Sequence, residues 1–183
     1  MKRLAFALAP TALCAVSIPA TPAAPSVETD EAQMTAASAA SIARQDMYDA
    51  FGEKELKPGQ YLWRDVPASE GDERVVIGLS DQLAYLYRGN TLMAVATISS
   101  GEPGRDTPTG IFSVLNKKTM HRSKKYDNAP MPFAQFIDTY GIALHAGHNP
   151  GHPASHGCVR LPSKFAAKLF KVTELGTPVL IGA

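Results

Sequence analysis

Apolar and polar positions change rhythm twice along this chain. From Leu4 to Ile18 the residues are mostly apolar, with Phe6, Leu8, Leu13 and Val16, behind the basic start Met1-Lys2-Arg3. Pro19 and the small residues Ala20, Thr21, Ala23 and Ala24 follow. That order predicts a secretory signal peptide over residues 1–24 and hence an exported protein. The run is broken by Pro10 and falls short of the roughly 20 apolar residues that span a bilayer comfortably, so no stable membrane span is expected after its removal. Leu13 stands where a lipoprotein site at Cys14 would need a small residue.

From Pro25 to Leu56 the chain is rich in Ala, Ser, Thr and acids. Ala36, Ala39, Ala43, Met47 and Ala50 recur at helical spacing within Ala32–Phe51, and Thr29, Asp30 or Glu31 suits the start of a helix. A stripe of alanines buries little area, so a helical segment and a flexible linker both fit residues 25–60. Beyond Lys57-Pro58-Gly59 the period shortens to two. Gln60–Trp63 is short and β-prone, Arg74–Leu79 and Gln82–Tyr87 flank a turn at Ser80-Asp81, and Thr91–Ile98 follows Arg88-Gly89-Asn90. Gly101–Gly110 is all turn chemistry, with strands expected at Gly110–Leu115, Ile137–His145 and Thr177–Ile181. One late helix is predicted, capped by Ser163, carrying Phe165, Ala166, Leu169 and Val172 on one face and stopped by Gly176. Short strands with one helix make residues 61–183 a mostly-β domain.

Composition changes this picture little. With 45% hydrophobic, 19% charged and 8% aromatic residues, the chain has the material for a packed core and is not a disordered one. Its 18 Lys+Arg and 17 Asp+Glu leave no basic excess, so no nucleic-acid partner is expected. Lys117, Lys118, Arg122, Lys124 and Lys125 form a basic run, read as a solvated loop able to attract an anionic polymer. Removing the leader removes Cys14 and leaves Cys158 alone, either an inert buried thiol or a reactive one.

The surroundings of Cys158 favour reactivity. Four of the five histidines, His145, His148, His152 and His156, lie within the thirteen residues before it. A thiol titrates near ~8.5, so a nucleophilic cysteine needs a base or positive charge beside it. His145 ends an apolar stretch that can aim it, and Gly157 permits a tight turn whose amides could hold an oxyanion. The same side chains are zinc-competent. Gly147, Pro150, Gly151, Pro153 and Gly157 forbid the helix that would align those histidines, and no metal or other cofactor is expected.

Ser155-His156-Gly157-Cys158-Val159-Arg160, with His145-x-Gly147 upstream, resembles the L,D-transpeptidase (YkuD-type) catalytic domain of bacterial cell-wall enzymes. The likeness runs from about Val75 to Ile181 and includes Leu79-Ser80-Asp81-Gln82, Thr107-Pro108-Thr109-Gly110 with Phe112, and Gly176-Thr177-Pro178-Val179. It implies a β-sandwich with one short helix near the C-terminus, preceded here by the signal peptide and the helical or flexible segment. It also implies Cys158 as nucleophile and His145 as general base and acid, its ring oriented by the carbonyl of Ala146 or Gly147. Amides around Gly157 and Cys158 would form the oxyanion hole, and Arg160, His156 and Ser155 would shape the substrate groove. The expected partners are peptidoglycan stem peptides, with an acceptor amine on a second stem or on an envelope protein, and the expected place is the periplasm or cell envelope. Hydrolysis in place of transfer would make an L,D-carboxypeptidase, and loss of turnover a wall-binding module of the same fold. Twelve residues separate His145 from Cys158, a shorter loop than many members have, and Arg160 stands where others carry Asn.

Overall fold

The computed structural model describes residues 26–183; the signal-peptide reading of residues 1–24, with Cys14, lies outside them. In chain order its elements are α1 (Asp30–Phe51), β1 (Tyr61–Trp63), β2 (Glu73–Gly78), β3 (Leu83–Arg88), β4 (Thr91–Thr97), β5 (Gly110–Ser113), β6 (Asn116–Arg122), β7 (Pro130–Phe136), β8 (Ala143–Ala146), β9 (Val159–Leu161), α2 (Ser163–Val172) and β10 (Pro178–Gly182). Among the described residues no helix is long and apolar enough to cross a membrane.

Of the two readings of the N-terminal segment, the helix is the one formed. Thr29 caps α1, its Oγ1 accepting from the Ala32 amide at 3.3 Å, and Asp30 and Glu31 sit in the first turn where the helix dipole favours anions. Ala32, Ala36, Ala40, Ala43 and Met47 are buried.

What they bury against is a six-stranded sheet of order β1-β4-β3-β2-β10-β5, in which β2, β3 and β4 form the expected antiparallel meander and β10 joins β2 in parallel. Alternation divides its side chains between two faces. Val76, Leu83, Tyr85, Tyr87 and Val95 pack under α1. Val75, Ile77, Ala84, Leu86 and Ala94 face the other way, into the main core with Phe112, Leu144, Val159, Phe165 and Leu169. The Tyr85 hydroxyl donates to Asp81 at 2.9 Å and that of Tyr87 to Asp46 at 2.6 Å, so neither phenol is left unpaired.

The second sheet has order β6-β7-β8-β9, with β8 and β9 parallel, and α2 packs on it. Together the two sheets and α2 give the expected sandwich. Three local expectations are corrected. Ile137–His145 is not one strand: Asp138 Oδ1 accepts from the amides of Tyr140, Gly141 and Ile142 at 3.0, 2.7 and 2.8 Å, reversing the chain before β8. Lys117, Lys118 and Arg122 lie on a strand rather than a loop, because β7 pairs with β6 from Asn116 to Arg122. Ser163 does not cap α2; Pro162, with φ fixed at −56° and ψ at 134°, turns the chain into the helix, so Ser163 is already its first residue.

Candidate active site

Strands β8 and β9 set the site. Leu144 and Val159 are register partners, and both are fully buried in the main core. Alternation therefore turns Ala143 and His145 on one strand, and Cys158 and Arg160 at the start of the other, to the opposite face. Arg160 is the direct partner of His145. Cys158, two residues earlier, stands diagonal to it, at ~8 Å between backbones given the strand spacing and rise, which imidazole and thiol side chains together can span. This face floors a cleft of about 890 Å³, walled by His121, Tyr126 and Met131 of the β6–β7 hairpin, by Tyr140–Ile142, and by His148, Ser155 and His156.

His145 is 7% exposed. Its Nδ1 lies 2.8 Å from the Ala146 carbonyl, which can only accept, so Nδ1 carries the proton and Nε2 presents a lone pair. Burial pulls the imidazole below its ordinary pKa, the Ala146 carbonyl opposes that, and the Arg160 charge adds to it. The Cys158 thiol is pushed up, again first by burial; the Ala143 backbone and Arg160 act against the rise and Asp138 with it. Near pH 7 both groups are consequently neutral. The thiol's hydrogen-bond partner is the Gly141 carbonyl at 3.7 Å.

The turn ahead of Cys158 is held from several sides. Ser155, 1% exposed, accepts from the Gly157 amide at 3.1 Å and donates to the Cys158 carbonyl at 2.5 Å. Gly157 has φ 105°, a conformation that calls for glycine, and a Cβ there would also displace the tip of the Ile142 side chain, 2.7 Å away. The Ser100 carbonyl accepts from Ala154 and Ser155 at 3.0 and 2.9 Å, and Ser99 and Arg160 exchange two backbone bonds of 3.0 Å. Gln82 clamps Ser100, its Nε2 donating to Ser100 Oγ at 2.8 Å and its Oε1 accepting from the Ser100 amide at 3.0 Å. Thr107, 4% exposed, accepts from the Gly101 amide at 2.9 Å and donates to the Gly157 carbonyl at 2.8 Å.

Of the residues singled out in the sequence, Cys158, His145, Arg160, Gly147, Ser155 and His156 all line the cleft, and Gly157 is buried. Gly147 packs on the Arg160 stem, where a Cβ would meet Arg160 Cγ at 3.0 Å. None of the ion pairs among the described residues includes Arg160. Asp138 spends Oδ1 on capping the 138–142 turn. His156 stacks on Tyr126 with ring centroids 4.3 Å apart and lies 3.8 Å from Glu102. Among the described residues no group of three or more His, Cys, Asp or Glu converges to hold a metal ion. Thr107, Gln82 and Tyr126 are the supporting residues that sequence reasoning missed. Thr107 and Gln82 did stand within segments of family likeness, the only signal that could have drawn attention to them.

No curated protein matches the chain significantly. Among solved structures, an L,D-transpeptidase from Mycobacterium smegmatis is 19% identical, with 61% of this chain and 59% of that one covered and a TM-score of 0.56. L,D-transpeptidase 3 from Mycobacterium tuberculosis, solved with a faropenem-derived adduct, is 19% identical over 61% and 60%, TM-score 0.56. The L,D-transpeptidase from Xylanimonas cellulosilytica is 27% identical over 65% and 64%, TM-score 0.56. The chain thus spans less than two thirds of each of these structures and shares their fold. A family model, the YkuD L,D-transpeptidase catalytic domain, matches residues 72–181, which include the whole cleft floor and both sheets except β1. By that match over more than half its length, the chain belongs to the YkuD family of L,D-transpeptidase catalytic domains.

Proposed function

We propose that this protein is a cysteine-dependent L,D-transpeptidase of the cell envelope acting on peptidoglycan stem peptides. The observation that carries the reading is the shared cleft floor of Cys158 and His145, with the imidazole tautomer fixed by Ala146 so that Nε2 is the basic nitrogen. The thiol turns from the Gly141 carbonyl toward Nε2 and gives up its proton as sulfur attacks the carbonyl of the L-centre of a diamino acid in a donor tetrapeptide. The tetrahedral oxyanion is met by the backbone amide of Cys158 in the turn shaped by Gly157. Collapse breaks the bond to the terminal D-Ala, whose amine takes the proton back from His145. An acceptor amine then attacks the thioester, His145 removing its proton, and a new amide forms as the thiol is restored. An acceptor on a second stem gives a 3→3 cross-link; one on an envelope protein gives a wall attachment.

Both pKa directions suit this sequence. A neutral imidazole is the form that accepts a proton, and a neutral thiol needs one to accept it, so base catalysis accompanies attack rather than preceding it. Arg160, Ser155, His156 and Gly147 are assigned to the substrate groove, Arg160 as the cation that receives a substrate carboxylate. Its lack of a carboxylate partner within the described chain supports this role.

Incubating the purified protein with defined disaccharide-tetrapeptides and weighing the products tests the proposal. Dimers or exchanged D-amino acids are expected; tripeptides alone would identify an L,D-carboxypeptidase, and unchanged substrate a binding module. A carbapenem is expected to add its mass to the wild-type protein and not to Cys158→Ala.

A further inference from the structure

We infer that Thr107 is a positioning residue for the oxyanion hole, acting through the single peptide that joins Gly157 to Cys158. This inference rests on the reading of Cys158 as the nucleophile and goes beyond it, because Thr107 itself touches neither the thiol nor the imidazole.

The geometry is that of one peptide plane. No peptide bond among the described residues is cis, so the Gly157 carbonyl and the Cys158 N–H point in opposite directions. The buried Thr107 hydroxyl donates to that carbonyl at 2.8 Å and thereby pins it toward the protein interior. The same constraint turns the Cys158 N–H away from Thr107, and Cys158 itself lines the cleft. Gly157 itself cannot resist rotation, since glycine at φ 105° has several neighbouring conformations open to it. Its own amide is already committed to Ser155 Oγ at 3.1 Å, which leaves the Cys158 amide as the donor whose direction matters.

Thr107 is anchored in turn. Its one hydroxyl proton goes to Gly157, and its lone pair receives the Gly101 amide at 2.9 Å, so the hydroxyl cannot rotate without orphaning a buried group. The contact joins residues 50 apart in sequence, linking the Gly-rich turn after β4 to the turn carrying the thiol. A donor fixed before the reaction costs no reorganisation when charge develops on the oxygen, and losing one such donor slows acyl transfer by about 10²–10³-fold.

Two reactions of one thiol separate this role from ordinary structural support. Acylation by a carbapenem passes through an oxyanion; alkylation by iodoacetamide does not. In Thr107→Val, acylation of Cys158 followed by intact mass is expected to slow by about 10²-fold, while the alkylation rate and its pH profile stay within about twofold of wild type; Thr107→Ser is expected to restore acylation. Equal slowing of both reactions, or unchanged acylation, would overturn the assignment. Should the valine variant not fold, Thr107→Ala and Thr107→Ser are compared in the same pair of reactions. The Cys158 amide of the wild type, labelled with ¹⁵N, is expected to give one sharp resonance, and a pair of exchanging resonances would count against a pinned peptide. Wild-type protein that takes up no carbapenem at Cys158 would sink the nucleophile reading instead, an outcome distinct from all of these.

Discussion

Cys158 and His145 stand diagonally across the parallel pair β8–β9, on the face turned away from the core, because their neighbours Val159 and Leu144 are register partners buried inside it. Their approach is therefore set first by the sheet, and the loop between them adds to it. The end of that connection, Ala154 to Gly157, is held by its own bonds to Ser100 and Thr107 and keeps the thiol-bearing turn in place beside the sheet.

Replacing the proposed base tests the pair directly. His145→Ala is expected to slow carbapenem acylation by about 10²–10⁴-fold, the usual scale for a lost general base, with the thermal melt little changed. Acylation rates from time-resolved intact mass measure it, and a near-normal rate would move the role to another residue.

The pH dependence has a definite sign. Burial raises the thiol above its ordinary value and lowers the imidazole below 6.5. Alkylation of Cys158 by iodoacetamide should thus climb with a midpoint above that of an ordinary exposed thiol. The acid limb of acylation should fall with a midpoint below 6.5, where His145 becomes protonated. A thiolate already present at pH 6, seen as fast alkylation there, would contradict the neutral resting pair.

Arg160 makes a prediction about the substrate. A charged hydrogen bond to a carboxylate is worth ~1.5–3 kcal/mol, or roughly 10–100-fold. Arg160→Gln should lower kcat/KM by that factor for donors ending in a free carboxylate and change it less than about threefold for the same donors amidated. Equal losses on both would remove the charge recognition.

Acid stability should trace to Asp81. Burial alone would raise its pKa, but hydrogen bonds from Ser80, Arg44 and Tyr85, with the Arg44 charge 3.0 Å away, together hold it below the ordinary 3.8. A carboxylate depressed on folding stabilises above its unfolded value and loses that contribution as pH falls through the folded one. Urea melts should show Asp81→Asn less stable than wild type at pH 5–7, with the gap closing below pH 3.8. A gap that stays constant down to pH 2 would exclude ionisation as its origin.

Much of this was legible in the chain itself. The meander β2–β4 follows from period-two alternation broken by Ser80-Asp81 and Gly89-Asn90, and the helix at residues 30–51 from its alanine stripe and Thr29. The cleft residues followed from the cysteine–histidine segment and its family likeness. Strand β7 was hidden by Pro130 and Pro132, which lack the amide a strand pattern counts on, yet pair opposite Arg122 and Met120. The turn at Asp138 looked like a strand because Ile137, Ile142 and Leu144 are apolar, while the capping that bends the chain depends on one carboxylate oxygen. Thr107 and Gln82 act across 50 and 18 residues, and no local pattern encodes a bond of that reach.

The seat of α1 has a practical corollary for anyone shortening this protein. Family likeness begins at residue 72, after the helix and β1 have passed. A fragment cut there would lay bare Leu83, Tyr85, Tyr87, Leu92 and Val95, an oily surface wide enough to recruit other copies and precipitate. A well-behaved fragment is accordingly expected to be longer than the family-matched segment, with the alanine-lined helix as the wrapper over this face.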